Sequence, residues 1–172
     1  ILRQYLVRTR REVARLHFPA RLVYLRRVQQ SPQDCEILQI VRDEVSAQRL
    51  AAANILRHLG MAMMSSPQAL LQRLESHGAG GAGASQAVSR LRELIQQCPV
   101  PSKMQAVMQI VEELRQQRPQ DWRMVIFTSR IPTLEMIVNH LKQQGISTGV
   151  IRGHDPRSNQ AAIRSYSATP PE

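Results

Sequence analysis

The chain has 172 residues, of which 42% are hydrophobic, so it can bury a core of ordinary size in one domain or two small ones. Aromatic residues make up only 3%, too few for an RNA-binding sheet that stacks bases on several rings, and Cys35 and Cys98 are too few and too far apart for a zinc site. Lys and Arg outnumber Asp and Glu by 23 to 13, and the resulting net charge of +10 indicates a polyanionic or otherwise acidic partner.

The positive charge is concentrated at the start of the chain. Residues 1–30 contain eight arginines and one glutamate, which leaves +7 of the net charge there. Arg8, Arg10 and Arg11 are candidate phosphate contacts, and a solvated helix face is the alternative. Because no apolar run approaches the roughly 18 residues of a membrane span, we expect a cytoplasmic protein with no membrane partner. Ile1 in place of a methionine suggests a processed chain or a piece of a longer one.

Residues 1–98 are predicted to form a mainly helical region. Apolar spacing predicts a first helix that ends by Pro19, and "RLVYLRRV" at 21–28 is interpreted as a short strand. The motif "SPQD" at 31–34 is typical of a helix start, and this helix should stop at Gly60.

Two shorter helices follow in the same region. Ser66 is expected to cap a helix over 65–76, with Pro67 in its first turn. The stretch 78–84 is glycine-rich and predicts a flexible loop, and the next helix is expected over 86–97.

Residues 99–172 are predicted to form a parallel α/β region, because helix and strand patterns alternate there. The expected elements are a helix over 102–117 capped by Ser102, a strand over 123–128, a helix over 133–144 ended by Gly145, a strand over 147–151 and a helix over 156–167.

The first of these strands ends in Thr128, Ser129 and Arg130. Ligands of parallel α/β sheets bind at the carboxyl ends of the strands, where hydroxyl and amide donors suit phosphate oxygens. The alternative is that Thr128 or Ser129 only caps the following helix.

The ordered series of segments resembles the bacterial branch of the Swi/Snf-type helicase-like ATPases, which are superfamily-two DNA translocases. "YLVRTRREVA" at 5–14 is similar to the segment after the first motor lobe, and "SPQDCEIL" and "SSPQALLQRL" are similar to helix starts of the connecting region. "SKMQAVMQIVEEL", "MVIFTSRIPTLEMI" and "GISTGVIRG" then follow in the family's order. The resemblance implies an inter-lobe helical region at 1–98 and the first half of the second RecA-like lobe at 99–172.

The resemblance also implies roles for particular residues. Thr128 and Ser129 would contact the backbone of the tracked DNA strand, and Arg152 would lie on the nucleic-acid side. Lys103 opens the first helix of the lobe and is a further candidate contact. Asn159 stands where the family usually has an arginine.

The chain contains neither a G-x-x-x-x-G-K-[ST] loop nor a D-E pair of the nucleotide-binding type, and no arginine-finger motif is found in it. Phosphoryl transfer needs these groups together. We therefore expect ATP and Mg²⁺ to be bound by a full-length parent and not by this chain alone. The expected partners are DNA and the first RecA-like lobe of the same parent chain.

Two alternatives stand beside the translocase. One is a non-catalytic basic helical module that binds nucleic acid or an acidic protein. The other is a complete small α/β enzyme of another kind. The sequence argues against this alternative, because it shows no spacing typical of a nucleophile with its base or of paired carboxylates.

Overall fold

A computed structural model of the chain describes residues 22–47, 52–77, 82–153 and 155–168, and these residues contain seven helices. In chain order they are α1 (Pro32–Ala47), α2 (Ala52–Ser65), α3 (Pro67–His77), α4 (Ala82–Gln97), α5 (Ser102–Gln117), α6 (Ile131–Gln143) and α7 (Pro156–Ser167). Within these ranges, no helix is both long enough and apolar enough to cross a membrane.

The first four helices pack around one core, in which α1 contacts α2 and α4, and α3 contacts the same two helices. Leucines three or four residues apart share a helix face, which is why they can fill this core together. Leu70 and Leu74 of α3 and Leu91 and Leu94 of α4 are almost completely buried. Each such side chain contributes about 1.5–3 kcal/mol by leaving water, so these four residues are main contributors to the stability of the cluster.

A second core lies between α5 and α6. Its buried members are Met104, Val111, Ile137, Leu141 and Ile146. The half-buried side chains of Trp122, Met124 and Ile126 pack against it. Helix α6 also contacts α3, which joins the second core to the first.

The predicted parallel α/β region is wrong, because the described residues contain helices but no strand. Residues 123–128 and 147–151 are non-helical and belong to no hydrogen-bonded ladder. Burial nevertheless alternates along both segments: Met124 and Ile126 are half-buried, whereas Phe127 is exposed. The apolar pattern therefore reports correctly that one face packs on α5 and α6. It carries no information on whether a neighbouring backbone completes the pairing that defines a strand.

Several predicted helix ends are confirmed. Ser31 and Asp34 form a reciprocal capping box, in which the Asp34 amide donates to Ser31 Oγ at 3.2 Å and the Ser31 amide donates to Asp34 Oδ2 at 2.8 Å. Ser66 Oγ accepts from the Ala69 amide at 3.1 Å. Gly145 follows α6 with a φ of 69°, a left-handed conformation that glycine adopts without a steric cost.

Other predicted boundaries are wrong. Residues 22–28 are irregular and exposed, not a strand. Gly60 lies inside α2, because the helix continues to place Ala62 in the first core. Residues 82–84 of the predicted loop belong to α4. The first predicted helix, over residues 1–19, and residues 78–81 lie outside the described residues.

Helix α7 is attached to the rest of the second half at three places along its length. Near its end, the guanidinium of Arg123 donates to the carbonyl oxygens of Tyr166 at 2.6 Å and Ala168 at 2.8 Å. At its middle, Gly149 lies so close that an added Cβ would be 2.9 Å from Ala162 Cβ. The third attachment involves Arg152, at the start of the helix.

Candidate nucleic-acid interface

Thr128, Ser129 and Arg130 lead from the extended residues into α6. Thr128 is half-buried, and its Oγ1 accepts a long hydrogen bond of 3.4 Å from the Arg130 amide. Ser129 is exposed, and Arg130 holds the N-cap position of α6, where no side chain of the described residues caps the helix. The alternative in which Thr128 or Ser129 caps α6 is therefore wrong, and the Ser129 hydroxyl faces solvent.

Hydrogen bonds to Asn159 fix the backbone of Arg152, and the Arg152 side chain is exposed at the surface. The Arg152 amide donates to Asn159 Oδ1 at 2.8 Å, and Asn159 Nδ2 donates back to the Arg152 carbonyl oxygen at 2.6 Å. The guanidinium lies 3.6 Å from Glu135 Oε1, and both side chains are about half exposed. Because such a surface pair contributes only about 0–1 kcal/mol, a phosphate can replace Glu135 as the partner of Arg152.

The contact between Arg152 and Glu135 brings two loop ends together. Glu135 lies one turn beyond Ile131, where α6 begins. The end of the segment 146–152 is therefore beside the start of α6, which Ser129 and Arg130 adjoin. The geometry thus presents Ser129, Arg130 and Arg152 at one end of the second half of the chain.

Lys103 has a different environment from these residues. Its Nζ donates to the carbonyl oxygen of Met64, in the last turn of α2, where a cation favourably meets the helix dipole. The next two residues, Ser65 and Ser66, place their hydroxyls 2.7 Å and 2.8 Å from Thr133 Oγ1 in the first turn of α6. Lys103 thus contacts the end of α2 beside the start of α6, and its ammonium group does not lie with Ser129 and Arg152. Arg8, Arg10 and Arg11 lie outside the described residues.

Helix starts meet in pairs beneath this end of the chain. Ser66 and Thr133 join the starts of α3 and α6, while Asp34 and Ser102 join those of α1 and α5. Each helix start carries about half a positive charge from the aligned peptide dipoles. Ser65, the last residue of α2, also contacts Thr133, so the negative end of the α2 dipole offsets the positive helix starts at this contact.

At the second pair of helix starts, the Asp34 carboxylate supplies a negative charge that offsets the positive ends of α1 and α5. Its Oδ2 accepts from Ser102 Oγ at 2.6 Å and from Ser31 Oγ at 2.9 Å, in addition to the Ser31 amide. Ser102 is therefore a donor to Asp34 and not the predicted cap of α5, whose N-cap residue is Pro101. Partial burial raises the pKa of Asp34, but the hydrogen bonds from Ser102 and Ser31 and the charge of Lys103 outweigh it, so that the pKa lies below its ordinary value.

The segment that contains Ser129, Arg130 and Arg152 carries a net positive charge, and over residues 99–172 nine Lys and Arg stand against six Asp and Glu. Residues 122–168 contain six Lys and Arg against two Asp and Glu. Arg130, Arg152 and Arg157 belong to the loop ends or to the first turn of α7. A cleft of about 460 Å³ runs along α6 beside Met104 and is lined by Asn139 and His140. Among the described residues, no group of three or more His, Cys, Asp or Glu is placed to hold a metal ion.

Two residues of this end were not among the predicted contacts. Asn159 was a departure from the family pattern, and its role depends on a loop returning to the helix, which no local spacing indicates. Phe127 is 92% exposed, although the three residues before it, Met124, Val125 and Ile126, are apolar. A strictly alternating interpretation of "MVIF" would have placed Phe127 opposite Met124 and Ile126.

The described residues define a helical, basic chain with hydroxyl and guanidinium groups at one end. Comparisons with protein-family models, with curated proteins and with solved structures find no match to this chain.

Proposed function

We propose that this chain binds the phosphate backbone of DNA at the end formed by Ser129, Arg130 and Arg152. The observation that carries the proposal is the fixed backbone of Arg152, whose guanidinium is exposed and only weakly paired beside the start of α6. The exposed Ser129 hydroxyl can donate to a phosphate oxygen at the same end. The excess of positive charge in the chain supplies the long-range attraction that backbone binding requires.

The chain would contribute these contacts as a segment of an ATP-dependent DNA translocase of the Swi/Snf type. Support for this part of the proposal is the order of the motifs from residue 5 to residue 153. Nucleotide binding and hydrolysis, with ATP and Mg²⁺, would belong to other parts of the parent protein, including its first RecA-like lobe. In that setting, a strand held at Ser129 and Arg152 could be pulled when the motor changes conformation.

The second candidate is a non-catalytic basic helical module that binds nucleic acid or an acidic protein. The helical character of the described residues favours this candidate, because it needs no sheet. The two candidates differ in one simple observation. The parent gene of a translocase encodes a nucleotide loop and an arginine finger around this segment, and the gene of a module does not.

Binding of duplex DNA by the full chain tests the backbone contacts. Ser129→Ala should weaken binding by roughly 0.5–1.5 kcal/mol, the contribution of one neutral hydrogen bond, and leave the salt dependence unchanged. Arg152→Ala should lower the slope of log affinity against log salt by up to about 0.9, the value for one phosphate contact. Replacing Arg8, Arg10 and Arg11 together should lower the slope by up to that amount for each phosphate that these arginines neutralise.

Ser89→Ala is the matched control, because Ser89 is also exposed but lies in α4, within the first four helices. This variant should bind DNA like the unmodified chain. Equal DNA affinities for the Ser129 and Ser89 variants, with no change of slope for Arg152→Ala, would refute binding at this end.

A further inference from the structure

The ring of Phe127 is presented to solvent beside the candidate phosphate contacts. It is 92% exposed, and Ser129 is exposed two residues further on. Residues two apart on an extended backbone point to the same side. Phe127 and Ser129 are both exposed, whereas Thr128 between them is half-buried, so Phe127 and Ser129 lie on the side of the segment that points away from the second core.

We infer that Phe127 is a stacking platform for an unpaired base, so that this end of the chain takes single-stranded nucleic acid in preference to a duplex. The inference rests on the proposed backbone binding, because the phosphate held at Ser129 and Arg152 brings the base to the ring. Bases in a duplex are stacked on one another, whereas a base of a single strand offers its face to an aromatic side chain.

The charge around the ring favours a polyanion over a protein as the occupant of this surface. Val125, Ile131 and Ile151 are also exposed, at 55%, 59% and 62%. The same part of the chain has three times as many basic as acidic residues, with Arg130 three residues from the ring. An aromatic ring within a basic surface is the combination that single-strand binding proteins use.

The test compares three probes with the full chain: a short oligothymidylate, an abasic strand of the same length, and a duplex. Fluorescence anisotropy of labelled probes should show the tightest binding to the oligothymidylate. Phe127→Leu keeps an apolar side chain but removes the ring, and it should weaken oligothymidylate binding by about 5- to 150-fold, equivalent to roughly 1–3 kcal/mol per stacked base. The affinities for the abasic strand and the duplex should not change.

Two further variants are controls for this experiment. Phe127→Trp should retain the preference for the oligothymidylate, since it keeps an aromatic face. Met61→Ala removes an apolar side chain that is 56% exposed on α2, outside the arginine-rich residues 1–30, and it should leave all three affinities unchanged.

The outcomes separate the two proposals. If Phe127→Leu leaves the preference for bases intact while Ser129→Ala and Arg152→Ala still weaken binding, stacking on Phe127 is refuted and backbone binding stands. If the chain binds none of the probes at low salt, both proposals fall. If Phe127→Leu changes only self-association, measured by sedimentation, the apolar surface is a protein contact and the stacking inference is overturned.

Discussion

Replacing Asp34 with alanine should lower the free energy of unfolding by about 2–3 kcal/mol. The substitution removes the acceptor of three hydrogen bonds, from the Ser31 amide, Ser31 Oγ and Ser102 Oγ, at 2.8, 2.9 and 2.6 Å. Hydrogen bonds to a charged group contribute about 1.5–3 kcal/mol each, and loss of a capping side chain costs about 0.5–2 kcal/mol. Because Asp34 is only partly buried, water replaces part of each lost bond, and the bonds and the cap are the same contacts counted twice, so the expected loss of about 2–3 kcal/mol is smaller than the sum of the separate values.

Urea unfolding followed by circular dichroism measures this loss, with Asp43→Ala as the control. Asp43 lies in the same helix, and its exposed carboxylate accepts from Gln39 at i,i+4. Its removal should therefore cost less than about 0.5 kcal/mol. Adding Ser102→Ala to Asp34→Ala should cost less than the sum of the two single changes. Equal losses for the Asp34 and Asp43 variants would refute the reasoning.

The lowered pKa of Asp34 gives the same prediction a pH dependence. A carboxyl group whose pKa is lowered by folding stabilises the protein above its unfolded pKa, about 3.9, and this stability is lost as the pH falls through the folded pKa. The stability difference between the unmodified chain and Asp34→Asn should thus be constant near neutral pH and shrink below about pH 4. A difference that grows with acid would contradict the assigned hydrogen bonds.

Three further predictions concern the packing, each measured by urea unfolding. Gly149→Ala should cost about 1–3 kcal/mol because of the 2.9 Å approach to Ala162 Cβ, and adding Ala162→Gly should restore part of the loss. Gly145→Ala should destabilise by about 1 kcal/mol, since its φ is 69°, whereas Gly60→Ala should stabilise by roughly 0.5–1 kcal/mol, because Gly60 is inside a helix with open space around it. Thr133→Val should cost about 1–3 kcal/mol by leaving two serine hydroxyls without their shared partner. An unchanged stability of the Gly149 or the Thr133 variant would contradict the packing and hydrogen-bond arguments, respectively. Stability changes of the same sign for Gly145→Ala and Gly60→Ala would contradict the backbone argument.

Local chemistry explains which parts of the fold the sequence could predict. Ser31 with Asp34, and Ser66 before Pro67, are capping arrangements that need only neighbouring residues, and both were found. Gly60 and Ser102 carry similar local signals, but long-range contacts decide their roles. Helix α2 continues beyond Gly60, and Ala62 packs in the first core. The Ser102 hydroxyl donates to Asp34, which lies 68 positions earlier in the chain.

The candidate site shows the same division between local and distant information. Ser129 was predicted as a contact from its place at the end of an apolar run, and Arg152 from the family resemblance; both roles stay predictions. The partner that fixes Arg152, Asn159, and the exposure of Phe127 could not be identified, because they depend on how the loop and the extended segment pack. An apolar run such as "MVIF" has the same composition on both faces, so the sequence does not tell which face meets the core.

The contacts near the α2–α3 junction have a consequence for how the molecule opens. Ser65, Ser66 and Lys103 join the first four helices to α5 and α6 through polar groups. Water can satisfy these groups when the two cores separate, whereas unfolding either core exposes leucine and methionine side chains. Separation of the cores therefore requires a smaller change in heat capacity than unfolding. Amide hydrogens at this junction should exchange through sub-global opening, and those in the middle of α3 only through unfolding of the first core.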